Sequence, residues 1–326
     1  MEKDLSLEIL REVLQAERRI RPYIRETYLE HSPYLSDLSG ANVYCKLENL
    51  QYTGSFKFRG AMNKLLSLPK EDREKGVVAA STGNHGAAVA RSAGILGIEA
   101  VIFVPEGTDP SKVQAIERYG AEVRYHGSDC VESEVFARKF VERNALTYIP
   151  PYNDPQVIGG QGTIGVELSR QMERIDAVFA SVGGGGLISG IASYLKVVSP
   201  STEIIGCSPE NSQVMVRSVE AGHILDLPSL PTLSDGTAGG IEEGSITFDL
   251  CRSLVDEFVT VSEAEIRESL ISFVSSHHML IEGAAAVAIA SFLKIKDRFE
   301  GKEVAIVICG ANIGLEKLGH VLQEAG

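Results

Sequence analysis

The chain has no tryptophan, few aromatic residues (6%), five cysteines and a shortage of base, with 31 Lys and Arg against 44 Asp and Glu for a formal net charge of −13. Each shortage excludes something. Nucleic acid and anionic membrane surfaces are held chiefly by clustered Lys and Arg, so an acidic chain argues against both and for a small-molecule partner. Cys45, Cys130, Cys207, Cys251 and Cys309 are odd in number, scattered and without a C-x-x-C pair. That disfavours a disulfide framework, a zinc site or a redox couple, and suits a reducing cytoplasm. The longest apolar run, GAAAVAIASFL at 283–293, falls well short of the ~18 residues of a membrane-spanning helix. The first residues, MEKDLSLEIL, lack the basic and apolar regions of a secretory signal.

What is present is ordinary soluble usage, 44% hydrophobic and 23% charged, over 326 residues, a length that favours two lobes. From Val77 onward short apolar runs alternate with helix-like segments: VVAA, EAVIFVPE, AEVRYHG and TYIPP are separated by GAAVARSAGILG, SKVQAIERYG and DCVESEVFARKFVERNA. A second series runs from DAVFASV at 176–182 through LISGIASYLK, EIIGCSP, EFVTVS and AEIRESLISFVSS to EVAIVICG. Both predict α/β lobes with open, mostly parallel sheets and flanking helices. The boundaries expected are 1–75 with 150–326 for a large domain and 76–149 for a small mobile one, inserted between them.

In open α/β sheets ligands sit where strands end, so Gly-rich or polar stretches after apolar runs are the candidate loops. SVGGGG at 181–186 removes every β-carbon over four residues ahead of a helix, which lets backbone amides approach an anion such as phosphate. A dinucleotide fingerprint fails there, because Ile188 or Ser189 stands where the third glycine belongs. STGNHGAA at 81–88 puts Ser81, Thr82, Asn84 and His85 at a helix start, an arrangement suited to a carboxylate; plain capping by Ser81 or Thr82 is the simpler alternative. GSFKFRGA at 54–61 sets Lys57 between Phe56 and Phe58, and apolar surroundings favour a neutral, nucleophilic amine.

Taken together, GSFKFRGA, STGNHGAA, SVGGGG and the late CGAN resemble, in order and spacing over nearly the whole chain, the fold-type II pyridoxal-phosphate family of threonine and serine dehydratases and serine racemases. The resemblance implies a two-lobed, tryptophan synthase β-like fold with pyridoxal 5'-phosphate as cofactor. It makes Lys57 the lysine that holds the cofactor and then acts as general base. Phe56 packs on the cofactor ring, Asn84 bonds the ring hydroxyl, Gly183, Gly184, Gly185 and Gly186 with Leu187 hold the phosphate, Cys309 meets the ring nitrogen and Glu282 lies near the ring. Ser81, Thr82, Asn84 and His85 form the loop that closes on the substrate carboxylate, and SDGTAGG at 234–240 lines the pocket. A thiol at Cys309 is a weak donor that does not force the ring nitrogen to carry a proton, which suits prompt elimination; a small buried core cysteine is the alternative reading.

Two positions depart from the family pattern. Many relatives bind a divalent cation through an acid before a proline and a second acid six positions on; Ser208, before Pro209, and Val214 stand there, so no metal site is expected unless Glu210 substitutes. The racemases use a serine hydroxyl as a second acid/base where typical threonine dehydratases have alanine; Thr82 retains a hydroxyl, so it joins Lys57 as a candidate catalytic residue. The activity implied is β-elimination from L-threonine or L-serine to a 2-oxo acid and ammonia, in a cytoplasmic homodimer. PENSQVM and LSDGTAGGIEEGSITF are similar to hydroxyectoine-utilisation dehydratases. A dehydratase for a hydroxyectoine-derived acid or 3-hydroxyaspartate, a serine racemase, and a non-catalytic binding protein therefore stand as alternatives. The chain ends soon after CGAN, so no C-terminal regulatory domain and no isoleucine feedback are expected.

Overall fold

The structure, a computed structural model, describes residues 2–323; residue 1 and residues 324–326 of the expected large domain lie outside it. Ten strands are found among the described residues: β1 (Leu29–His31), β2 (Asn42–Lys46), β3 (Val77–Ala80), β4 (Ala100–Val104), β5 (Glu122–Tyr125), β6 (Thr147–Tyr148), β7 (Ala177–Ser181), β8 (Glu203–Pro209), β9 (Glu257–Val261) and β10 (Glu303–Val307). The α-helices are α1 (Glu2–Ile20), α2 (Pro33–Ser39), α3 (Lys57–Ser67), α4 (Lys70–Lys75), α5 (Asn84–Leu96), α6 (Pro110–Glu117), α7 (Cys130–Asn144), α8 (Pro155–Gln171), α9 (Gly186–Val198), α10 (Val214–Ala221), α11 (Ile246–Leu254), α12 (Glu263–His277), α13 (Gly283–Ile295) and α14 (Leu315–Gln323).

These strands form two sheets. The larger has the order β1-β2-β10-β7-β8-β9 and is parallel except for the antiparallel β1–β2 pair; the smaller, β5-β4-β3-β6, is parallel throughout. Central β7 (AVFAS) is buried at every position, which is why it reads as a continuous apolar run rather than an alternation. The expected α/β class with flanking helices is what is found. Phe179 of β7 packs edge-on against Phe292 of α13 and against Phe299, at the centre of the larger core. Helix α3 is shared by the two sheets: Phe58, Ala61, Met62 and Leu65 join one core with Val77, Ala79, Ala88, Val89 and Ile102 of the smaller one, while its other side meets α8.

Helix α8 is the main element that the sequence pattern does not reveal. Its run GGQGTIG looks like loop, since each glycine costs a helix about 1 kcal/mol relative to alanine. The glycines serve packing instead. A β-carbon at Gly160 would lie 2.6 Å from the Arg59 carbonyl oxygen, one at Gly162 2.7 Å from that of Gly190, and one at Gly159 2.5 Å from Glu12. Backbones of α1, α3 and α9 thus approach α8 more closely than any side chain permits. A start signal was legible: Asp154 caps the helix by accepting from the Gln156 and Val157 amides at 2.9 and 3.0 Å, with Pro155 in the first turn.

Beneath α3 lies a fully buried ionic network. The Arg59 guanidinium donates to Glu48 at 2.7 and 2.8 Å and to both Glu167 oxygens at 2.7 and 2.8 Å. Lys46 Nζ donates to Glu167 at 2.6 Å, and all four side chains are 0% exposed. Burial by itself pushes the Glu167 carboxyl up, but Arg59 and Lys46 outweigh it and hold the group down at about 2. The network fastens α3 to α8 and to the segment after β2, two residues from Lys57.

Candidate active site

A cavity of about 660 Å³ opens between elements of the two sheets. It is lined by the segments that follow the carboxyl ends of β3, β7 and β10 and by the start of α3, where open α/β sheets offer ligand sites. The four stretches singled out in sequence, far apart in the chain, meet here.

Lys57 is the first residue of α3. Its Nζ donates to the Pro151 carbonyl at 2.7 Å and lies 5.3 Å from the Phe56 ring centroid. Burial pushes its ammonium down to about 8, against an opposing pull from Cys309 and Glu282, so the amine has a substantial neutral fraction near neutrality. Phe56 is pinned from behind, its amide donating to the Cys309 carbonyl at 3.0 Å.

Gly183–Gly186 form a cradle with no room for side chains. β-Carbons at Gly183, Gly184 and Gly186 would lie 2.8 Å from Thr237, 2.4 Å from the Tyr152 ring and 3.0 Å from Tyr152 Cβ. Gly185 has φ +81 and is the N-cap of α9 without any side-chain cap bond, so that helix presents amides to the cavity. Leu187 closes the wall behind them.

The loop after β3 divides its side chains. Ser81 and Thr82 face the cavity, Thr82 beside the Cys130 thiol. The cap of α5 is Gly83 with no side-chain bond of its own; the Ser81 hydroxyl accepts from the Gly83 amide at 3.2 Å, so a local turn accounts in part for Ser81 but not for Thr82. Asn84 reaches across to residues beside the larger sheet: its Nδ2 donates to both Glu282 oxygens at 2.9 and 3.0 Å, and its Oδ1 accepts from Asn312 at 2.5 Å. His85 turns inward, 4% exposed, with Nε2 2.8 Å from the Ile149 carbonyl. Burial, together with the nearby Lys57 charge, pushes the imidazole down to about 3. It is therefore neutral, and Nε2 carries the proton that bonds the carbonyl. The amide and the imidazole expected to face a carboxylate are thus committed to protein partners, leaving Ser81, Thr82 and the α5 amides toward the cavity.

At the opposite wall, Cys309 lies two residues beyond β10 rather than within it, 2% exposed and 3.9 Å from Glu282 Oε1. Burial pushes its thiol well up, with the Glu282 charge acting in the same direction. Burial also raises the Glu282 carboxyl, partly offset by bonds from Asn84 and the Asn312 amide. Gly310 makes room for that carboxylate, since a β-carbon there would sit 2.7 Å from Oε1. Asp235, Gly236, Thr237 and Ala238 line the wall, and Lys317 pairs with Asp235.

Sequence reasoning passed over Pro151, Tyr152 and Asn312. Asn312 stood within a quoted motif and Pro151 at the end of the apolar run TYIPP, but that the Pro151 carbonyl and the Tyr152 ring enter the site is decided by the fold alone. Among the described residues no group of three His, Cys, Asp or Glu is placed to hold a metal ion; Ser208 donates to the Ser212 carbonyl at 3.0 Å. No helix of the described residues is long and apolar enough to cross a membrane.

Comparison with known proteins gives concordant results. A family model described as "Pyridoxal-phosphate dependent enzyme" matches residues 20–310. The chain is 39% identical over 315 residues to an L-threonine ammonia-lyase of Thermotoga maritima, covering 97% of this chain and 78% of that relative. Its structure is similar to the processed form of threonine deaminase isoform 2 from Solanum lycopersicum, with TM-score 0.94, 36% identity and coverage of 99% and 94% of the two chains. It also resembles maize serine racemase, with TM-score 0.91, 31% identity and 97% of each chain covered.

Proposed function

We propose, because this chain belongs to the pyridoxal-phosphate dependent enzyme family, that its substrate is L-threonine or L-serine and its products are 2-oxobutanoate or pyruvate with ammonia. The chain is a pyridoxal-phosphate-dependent ammonia-lyase acting by β-elimination on an amino acid. The observation that carries the cofactor-dependent chemistry is the meeting, in one cavity, of a lysine amine pushed down to about 8 with a four-glycine cradle that no β-carbon could enter; the choice of substrate is supported by the similarity to a threonine ammonia-lyase and a threonine deaminase.

Those residues fit the cofactor. A cradle of backbone amides at an uncapped helix start suits a phosphate dianion, and a buried, readily neutralised lysine suits an aldehyde. Gly183–Gly186 and Leu187 are the phosphate-side residues, Lys57 the covalent anchor, Phe56, Asn84, Glu282 and Cys309 the ring contacts. When bound, pyridoxal phosphate supplies an electron sink for the pair left when the α-proton departs. Lys57 Nζ, in its neutral form, takes that proton. Ser81, Thr82 and the α5 amides bind the α-carboxylate. The Cys309 thiol, held neutral by burial, leaves the ring wall without a strong acid. The smaller lobe, 76–149, closes over the substrate and excludes water. Support for closure comes from lobe-crossing contacts at the rim: Asn84 with Glu282, and Arg138 with Glu242 at 2.5 Å.

The five cysteines are free thiols, which supports a reducing cytoplasmic setting; the family resemblance carries the homodimer. The experiment is a turnover screen of the holoenzyme. L-Threonine and L-serine should release ammonia and a 2-oxo acid, L-alanine neither, and Lys57→Ala should lower turnover by about a thousandfold or more without unfolding the protein. Ammonia from a bulkier or acidic 3-hydroxy amino acid alone would overturn the substrate choice, and D-serine formation lost in Thr82→Ala would assign Thr82 a racemase role.

A further inference from the structure

The segment Ile149–Asp154, the second crossing between the lobes, holds an unusual share of the site. The Ile149 carbonyl accepts from His85 and the Pro151 carbonyl accepts from Lys57 Nζ at 2.7 Å. The Tyr152 ring lies against Gly184 and its Cβ and backbone against Gly186, with its hydroxyl accepting from the Glu242 amide at 3.0 Å. Asn153 donates to Glu242 at 2.9 Å and accepts from the Ile246 amide at 3.0 Å, and Asp154 caps α8 and pairs with Lys64 at 2.5 Å. Pro150 and Pro151 in succession fix φ over the middle of the strap. Its large-lobe end is therefore tied at four residues. At its small-lobe end the carbonyl of Ile149 is gripped by the one histidine in the cavity wall.

We infer that His85 is a positioning residue for Lys57: its Nε2–H fixes the Ile149 carbonyl, and through the rigid Pro150–Pro151 step sets the Pro151 carbonyl as the dock for the lysine amine. A neutral amine that donates one hydrogen to a fixed carbonyl has its lone pair directed elsewhere. Here that direction is toward the cavity, where the amine adds to an aldehyde carbon with loss of water or takes an α-proton. The titratable groups facing Lys57 are Cys309 and Glu282 across the cavity and His85 from α5. Burial keeps the His85 imidazole and the Cys309 thiol neutral, so the effect of His85 on Lys57 is geometric rather than electrostatic. A dock on backbone carbonyl also explains why no acidic side chain is needed to hold a lysine in this wall.

This inference rests on the assignment of Lys57 as the cofactor lysine, and its test separates the two. His85→Leu removes the donor at similar volume; His85→Gln keeps an N–H donor. Two readouts are taken: the rate at which the cofactor's covalent link to Lys57 forms, by absorbance after mixing cofactor-free protein with pyridoxal phosphate, and kcat against KM for L-threonine. Expected in His85→Leu is a tenfold or greater slowing of linkage and a similar fall in kcat with KM within threefold. His85→Gln should recover both to within threefold of the parent. Pro151→Ala, which loosens the strap without touching His85, should give the same pattern at smaller amplitude, and it serves as the test should His85→Leu not fold. Parental linkage and turnover in His85→Leu, a Gln variant as slow as the Leu variant, or a Pro151→Ala variant indistinguishable from the parent would each overturn the inference. Absence of any cofactor on Lys57 in the parent, by mass of the borohydride-reduced peptide, would instead overturn the assignment beneath it.

Discussion

Two buried glutamates, Glu167 beneath α3 and Glu282 in the cavity wall, are 0% and 7% exposed, yet their carboxyls are driven in opposite directions. Burial raises both; at Glu167 the Arg59 and Lys46 cations outweigh it and hold the group at about 2, whereas at Glu282 no cation outweighs it and the group stays high. Glu282 is met only by neutral donors, the Asn84 and Asn312 amides and the Cys309 thiol. The difference separates a carboxylate that fastens helices from one whose burial no cation answers, in the wall of a reaction cavity. It matches their places, one sealed between α3 and α8, the other facing an open volume where a charged or hydrogen-bonding group can arrive.

The sharpest way to break this contrast is substitution by the neutral isostere. Glu167→Gln leaves Arg59, Lys46 and Arg21 without their shared anion and should cost about 3–5 kcal/mol of unfolding free energy, since removing one partner strands buried charge. Denaturant unfolding measures it, and a loss below about 1 kcal/mol would show the network to be dispensable. Glu282→Gln should cost clearly less stability than Glu167→Gln, because removing its charge strands no buried cation among its hydrogen-bond partners. Its turnover should nonetheless fall by about tenfold or more, because an amide cannot accept from Asn84 with both of its end atoms as the carboxylate does, and the ring wall is thereby rearranged. Equal stability losses in the two variants would collapse the comparison.

The smallest effect is the opposed dependence on pH. Glu167 has a folded value below its unfolded one, so its contribution is fully present above pH ~4.5 and is lost as pH falls through about 2. Glu282 has a folded value above its unfolded one, so its contribution is present below pH ~4.5 and is lost as pH rises through the raised value. Unfolding free energies of parent and variants from pH 3 to pH 8 should therefore converge at the acid end for Glu167→Gln. For Glu282→Gln the variant should gain on the parent as pH rises. Parallel curves would remove the electrostatic distinction.

Much of the site was legible because its requirements are local. A four-glycine loop before a helix, hydroxyls at a helix start and a lysine between phenylalanines declare themselves in a few consecutive residues, and all three line the cavity. The strand order of neither sheet was legible, nor was α8, whose glycines look like loop until the backbones of α1, α3 and α9 are set against them. Arg59 stood in a quoted motif, but its meaning depends on Glu48 and Glu167, the latter 108 positions away. His85 lines the cavity, yet its nitrogen faces a carbonyl 64 residues on, which no local pattern shows.

By itself, then, the sequence determined the class of fold, the sign of the surface charge and the residue types at each strand end, because periodicity, glycine content and polarity act over one or two turns of chain. Only the tertiary structure decided which of those groups remain available to a ligand. Availability depends on whether burial is answered by a partner, and the partners of Lys57, Asn84, His85 and Glu167 come from segments that contact order alone brings within 3 Å.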